Sequence, residues 1–540
     1  MKEHSAILDS RAYLYVTEFF AGMAVMAVEL GASRLLAPYF SSSQIVWTII
    51  ISTIMIAMAL GNIYGGRSAD KDPDPDRLYR RLLIAAVWIA AIPVLGKYVI
   101  LLITGILIVA VNTNLLIIAG FIACMAIFVF PCFLLGTVTP SLARYTVKSL
   151  GDSGKTVGTL GAFNMIGSIL GTFLPTFVTI PAVGTAMTFL LFSGVILVIA
   201  LIYFLNAGKR KTACVVALVL YIACVLTGNR SNFAFWEDSL AYEGESVYNY
   251  LQVKEDEEDV VLLTNVLFGV QSIYKKDGSL SGMYYDYAMA APLFAGISPE
   301  GRGEMLILGM GTGTYAKQCL RYFPGLSAEG VEIDGKITEL ARTYFHEPEE
   351  AAVTTYDGRA YLQAVDRKYD VIMVDAYQDI TIPFQMASLE FFTEVRDHLT
   401  DNGVMVINMS MRADGEDTIN AYIQDTVSAV FKDVAAVDVA GYNNRLLFAS
   451  SGGLDKALLT DLLPPGGDGE KELRALMEMI GKELYNIPLG TGDRILTDDK
   501  APVELLSMRA VDQIIQRELV RYKELFKEEG IRGIIRAFKT

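Results

Sequence analysis

The sequence predicts an α-helical multi-pass membrane domain followed by an α/β Rossmann-like domain, with a small β-unit between them. Three observations carry this. Apolar stretches of bilayer-spanning length recur through residues 1–230 and stop there. Strands then alternate with helices, as in a doubly wound parallel sheet. Within that part, Glu304 to Asp334 (EMLILGMGTGTYAKQCLRYFPGLSAEGVEID) holds an apolar strand that breaks into Gly309, Gly311 and Gly313. A helix and a second strand ending in Glu332 and Asp334 follow. Glycines at such a turn let backbone N–H groups approach a ligand, and an acid after the next strand can accept from ribose hydroxyls.

Charge divides the 540-residue chain the same way. The first 230 residues carry 16 Lys+Arg against 9 Asp+Glu, and the remainder 29 against 51. An acidic soluble half argues against nucleic acid as a partner, because phosphate binding needs the opposite sign. Five cysteines without paired spacing, and only three histidines (His4, His346, His398), give neither a disulfide framework nor a zinc site, so no metal is expected.

Apolar segments fall at about 12–31, 44–66, 82–107, 114–140, 158–181, 184–206 and 212–228. Pro93, Gly96 and Lys97 interrupt the third, so 98–112 reads as a tilted or re-entrant piece. Basic residues gather in alternate loops: Arg67, Lys71, Arg77, Arg80 and Arg81; Arg144, Lys148 and Lys155; Lys209, Arg210 and Lys211. The positive-inside bias places these loops in the cytoplasm. Seven full passes then put residue 229 onward outside, whereas a nucleotide-using domain is expected inside. The expectation is a cytoplasmic domain, with one weak segment not crossing or an extra crossing near Lys97. Glu18 and Glu29 lie nearly on one face of the first helix, where carboxylates are costly and often functional. Pairing of Glu29 with Arg34 is the plainer reading.

Val247–Val253, Val260–Leu263 and Val270–Tyr274 read as a small antiparallel unit, followed by a helix near Tyr287–Phe294. Further strands end at Asp357-Gly358 and at Asp375; Val404–Met409 is the next, and Val434–Val439 with Leu446–Ser450 forms a terminal hairpin. Ligands bind beyond the carboxyl ends of such strands. The Gly309–Gly313 turn, Glu332, Asp357 and Asp375 therefore converge on one crevice, although helix capping is a common use of Asp in such places. Val511 to Lys539 is a basic helix, suited to an anionic leaflet or to capping the domain. The expected domains are 1–230, 231–300, 301–510 and 511–540.

Together these residues resemble the polyamine aminopropyltransferases of the spermidine synthase family, over roughly Tyr242 to Leu506. Leu308 to Gly313 stands at that family's glycine-rich loop, and Gly330 to Asp334 at its ribose-binding acid. Asp357-Gly358 stands at its adenine-contacting pair, Tyr369–Asp375 at the strand delivering its catalytic Asp, and Gly269-Val270-Gln271 in its N-terminal sheet. Glu29–Phe40, Gly65-Gly66-Arg67 and Thr497–Glu504 resemble stretches of the membrane-fused group. The resemblance implies aminopropyl transfer from decarboxylated S-adenosylmethionine to a small amine, with Asp375 as base. It makes Gln271 a donor contact, and it implies a homodimer as well as the lipid bilayer as partner. The amine half departs from the family: Asp379 comes one step late after Asp375, and Tyr284-Tyr285-Asp286 replaces a Tyr-His-Glu run. Tyr250, Asp286, Tyr287, Tyr377 and Asp379 are the candidate amine contacts, with Tyr284 and Tyr285 able to contribute rings or hydroxyls. A methyltransferase using S-adenosylmethionine itself, and a transporter or sensor that binds a nucleoside without chemistry, fit the same crevice.

Overall fold

The computed structural model describes residues 10–530 apart from 112, 148–152, 231, 238–239, 267–269, 377–381, 465–467 and 491. The chain forms two compact units: Met1–Trp236 with Leu519–Thr540, and Glu237–Glu518.

The first unit is a bundle of apolar helices: α1 (Arg11–Phe40), α2 (Gln44–Lys71), α3 (Pro75–Ala110), α4 (Leu115–Gly136), the short α5 (Val138–Thr146), α6 (Ser153–Leu174), α7 (Ile180–Ala207) and α8 (Lys211–Gly228). Among the described residues six helical runs are long and apolar enough to cross a membrane. One of them, Ser153–Ala207, is two passes rather than one. A wide turn at Pro175–Thr179 and left-handed backbone at Gly184 (φ 81°) break it. Its first part lies parallel to α1, with Tyr15 stacked on Phe163 and Asn164 donating to Glu18. Its second part runs back, so Gly31 meets the Phe189 ring while Tyr13 donates to the Ile199 carbonyl. Glycines set the α1–α6 approach. A Cβ at Gly167 or Gly171 would collide with the carbonyls of Phe19 and Met23.

Pro93, Gly96 and Lys97 do not interrupt α3. It runs unbroken for 36 residues, so neither an extra crossing near Lys97 nor a re-entrant piece at 98–110 forms. The helix survives because Gly96 makes room for Leu35 and Lys97 donates to the Asn232 carbonyl at 2.8 Å. Glu18 is fully buried and accepts from Thr139 and Asn164, while Glu29 and Arg34 are half-buried on the same helix.

The second unit opens with a four-stranded antiparallel sheet in chain order: β1 (Leu240–Glu245), β2 (Tyr250–Glu255), β3 (Asp259–Leu263) and β4 (Val270–Lys275). β1 precedes the first expected strand, and residues 247–249 are a turn rather than part of one. Two short helices follow, α9 (Tyr284–Ala288) and α10 (Ala290–Phe294). Then come β5 (Gly303–Leu308), α11 (Thr314–Tyr322), β6 (Leu326–Glu332), α12 (Gly335–Tyr344), β7 (Ala352–Thr355), α13 (Gly358–Ala364), β8 (Tyr369–Val374), α14 (Leu389–Asp397) and β9 (Leu399–Met409). After α15 (Ile419–Ser428) the hairpin β10 (Asp433–Asp438) and β11 (Arg445–Ser450) completes the sheet, with the two-residue β12 (Tyr485–Asn486) at its edge.

The order is β12-β10-β11-β9-β8-β5-β6-β7. β5 to β9 pair in parallel and the hairpin adds antiparallel strands, so the sheet is mixed. One face packs Met305, Ile307, Val371 and Val406 against α9–α11, α16 (Leu458–Asp461) and α17 (Asp468–Glu483). The small sheet packs Leu251, Val253 and Leu262 on Ile337 and Leu340 of α12, which holds it beside the end of β6. The last helix, α18, spans Val503–Glu529 and so begins before the expected 511; Arg532, Arg536 and Lys539 lie outside the described residues.

Candidate active site

Strand ends build one cavity of about 290 Å³ in the second unit. Its floor is the turn after β5. Gly309, Gly311 and Gly313 all have positive φ (94°, 57° and 74°), a backbone that side chains resist. A Cβ at Gly309 would lie 2.5 Å from the Asp375 carbonyl oxygen, so this turn and the end of β8 fit only with glycine there. Gly309 and Gly311 line the cavity; Gly313 sits behind them as the cap of α11. Thr312, Thr314 and Ser272 share a buried triangle of hydroxyl bonds (2.6–2.8 Å), which ties the turn to β4 and brings the adjacent Gln271 to the wall.

Glu332 ends β6 with both oxygens engaged. Oε2 accepts from Gly311 N–H and Oε1 from Asp334 N–H, each at 2.9 Å. Burial pushes its carboxyl up to about 7, the nearby Asp334 adding to the rise while the backbone donors oppose it. Asp334 does not line the cavity. It caps α12 and accepts from Ser246 (2.5 Å) and Asn249 (2.9 Å), fixing the loop that carries Tyr248 and Asn249 onto the wall. Asp357 has two uses: Oδ1 caps α13 through Ala360 N–H at 2.8 Å, and the residue lines the cavity with Gly358. Behind that helix Arg359 bonds Glu394 and Asp498, so Thr497–Glu504 serves as a brace for α13.

Asp375 follows β8, its N–H held by the Leu308 carbonyl at 2.8 Å. Oδ2 accepts from Tyr284 OH at 2.6 Å and Oδ1 from Asn408 Nδ2 at 2.9 Å; Asn444 in turn donates to Asn408 at 2.9 Å. Removal from water pushes the Asp375 carboxyl up to about 7, and the charge of Glu332 adds to this, while the Tyr284 and Asn408 bonds lower it. No cation touches it among the described contacts. A carboxyl held near neutrality, fixed in orientation and facing a cleft that Glu332 and Asp357 enter from the next strands can take up a proton.

The other candidates lie elsewhere. Tyr250 is buried in the small sheet, donating to Glu243 at 2.6 Å and accepting from Gln252. Asp286 is fully buried behind the wall, accepting from Gly282 N–H and Ser281. Tyr287 packs in the core and accepts from Ala440 N–H. None of the three lines the cavity. Tyr377 and Asp379 fall outside the described residues. Tyr284 does line it, and so do Tyr248, Asn249 and Tyr356, which sequence patterning did not single out as lining residues.

The spermine/spermidine synthase domain family matches residues 287–449. A probable polyamine aminopropyl transferase from Bifidobacterium longum (strain NCC 2705) is 49% identical over 350 residues, 62% of this chain and 78% of that protein. A polyamine aminopropyltransferase from Vibrio vulnificus (strain CMCP6) is 26% identical over 311 residues, 54% of this chain and 98% of that one. A crystal structure of a probable spermidine synthase from Corynebacterium glutamicum is 22% identical, covering 46% of this chain and 96% of that chain with a TM-score of 0.34. At half-identity across most of a relative's length, the chain belongs to the polyamine aminopropyltransferases, a family of transferases.

Proposed function

We propose that the chain moves an aminopropyl group from decarboxylated S-adenosylmethionine to a small amine, and that Asp375 is its base. The observation that supports this most is the Asp375 carboxyl, poised near 7 between Tyr284 and Asn408 at the edge of the Glu332–Asp357 cleft. An amine arrives as an ammonium and must lose a proton before it can attack. The Asp375 carboxylate takes that proton and aims the lone pair at the carbon next to the donor's sulfonium. The new C–N bond forms as the C–S bond breaks, and its electron pair leaves with sulfur as a neutral thioether. Glu332 is placed to accept from ribose hydroxyls, Asp357 and Gly358 to meet the base, and the Gly309–Gly311 backbone to let the nucleoside approach.

A second reading has its own support. Among the described lining residues the only carboxylates are Glu332, Asp357 and Asp375, few for a doubly charged diamine. Methyl transfer from S-adenosylmethionine to a less charged acceptor would use the same cleft. Incubating the purified protein with each donor and a panel of amines, with product mass as readout, decides between them. Addition of an aminopropyl mass supports the first reading, and a methyl mass only with S-adenosylmethionine supports the second. No product with either donor overturns both. In this proposal residues 1–230 anchor the enzyme in a bilayer, 231–300 close the cleft, 301–510 hold the chemistry, and the basic segment 511–540 follows. Retention in the membrane fraction after a high-salt wash checks the anchoring.

A further inference from the structure

The helix directions of the apolar bundle decide at which end each connection lies. Tyr79 near the start of α3 stacks on Tyr13 of α1 and on Tyr203 of α7. Asp76 accepts from Tyr203 and pairs with Lys209 at 3.2 Å. The closes of α2, α5 and α7 and the starts of α3, α6 and α8 therefore share the end where α1 begins. The closes of α1, α3 and α6 and the starts of α2, α4 and α7 share the other end. All three basic loops join helices at the first end; at the second, the three helix connections contain no Lys or Arg, and the cations there include Lys97, Arg230 after α8 and those of the returning last helix, such as Lys523.

The chain leaves the bundle at the second end. Beyond α8, the Phe233 carbonyl accepts from Tyr39 at 2.9 Å, the Asn232 carbonyl from Lys97, and the Phe235 ring sits 4.5 Å from Tyr98. α8 completes its pass, since Tyr221 donates to Leu190 of α7 and a Cβ at Gly228 would press on Val94 of α3. The chain also returns there: Lys523 donates to the Val111 carbonyl at the close of α3, at 3.1 Å. That second tether needs only α1 to α3 for its direction, so it is independent of the later passes.

Lys and Arg in short loops set orientation, while acidic residues and long translocated domains count for little. We infer that the bundle holds its basic loops in the cytoplasm and presents residues 237–518, with the Asp375 cleft, on the opposite face of the membrane. This replaces the expected cytoplasmic placement, whose two escapes, a second crossing in α3 and an incomplete last pass, are absent from the bundle. The inference rests on the bundle spanning a bilayer, and it adds a requirement to the transfer reaction. S-adenosyl donors are assembled from a nucleoside triphosphate inside the cell, so a step that exports a nucleoside sulfonium must precede transfer.

Cysteine accessibility tests it. Four of the native cysteines are buried and Cys224 is half-buried, so a Cys224→Ser background suits the purpose. Glu257→Cys, in the exposed β2–β3 turn, and Lys211→Cys, at the exposed start of α8, are treated with a charged, impermeant maleimide. The expected result is labelling of Glu257→Cys on intact cells and of Lys211→Cys only after permeabilisation. The reverse pattern, or equal labelling of both in intact cells, overturns the inference. Turnover of the detergent-purified enzyme does not depend on sidedness. An active enzyme labelled from the wrong side therefore refutes this placement alone, and an inactive one labelled as expected refutes only the transfer.

Discussion

At the scale of single residues, Asp375 carries the sharpest expectations. Asp375→Asn keeps the Tyr284 and Asn408 neighbours but removes the proposed base, so turnover should fall by on the order of 10²–10⁴ while donor binding, read by calorimetry, stays close to that of the parent. Tyr284→Phe removes a bond that lowers the Asp375 carboxyl from its raised value of about 7. The acidic limb of kcat/KM should then move to higher pH, and a limb that stays in place would refute the assignment. Asp375, Glu332 and Asp357 were legible in the sequence because a strand's carboxyl end fixes where the next side chain goes. Asn408 was not, since its use depends on which strand lies beside β8. Tyr250, Asp286 and Tyr287 do not line the cavity for a related reason: their types suit a cleft, but burial and local partners claim them, and neither shows in the sequence.

At the scale of elements, two packing contacts invite substitution. Gly309→Ala puts a side chain on left-handed backbone, at a cost of roughly 1–2 kcal/mol, and displaces the Asp375 carbonyl as well. A lower denaturation midpoint together with lost turnover is expected. Gly167→Leu drives a branched side chain into the Phe19 carbonyl and should separate α6 from α1. Earlier thermal aggregation in detergent checks that. The parallel strands were legible as short apolar runs closed by Asp or Gly. β1 was not, because Leu240–Glu245 lacks a clear alternation of apolar residues, and a two-residue strand such as β12 leaves no pattern at all. The start of α18 at Val503 was missed although Pro502 before it and Glu504 in its first turn are helix-start signals.

At the scale of the whole molecule, Glu332 and Asp375 link stability to pH. Both carboxyls hold a proton more tightly folded than their ordinary values of 4.5 and 3.8 allow, each rising to about 7. Between those limits the folded chain binds more protons than the unfolded one, so the ligand-free protein should lose stability as pH climbs toward 7. A sulfonium donor favours the ionised forms, and its thermal stabilisation should be larger above pH 7 than below it. A donor effect that does not change with pH would exclude this coupling. The division into a greasy, basic half and an acidic half was plain from composition. That the two are not simply consecutive was not, since it depends on where the last helix docks. Glu237–Glu518 interrupts a unit made of the residues before and after it, and so is an insertion with both ends secured. A protease that nicks the chain once, near Trp236 or near Glu518, would leave the catalytic part on its leash; shedding it takes two cuts.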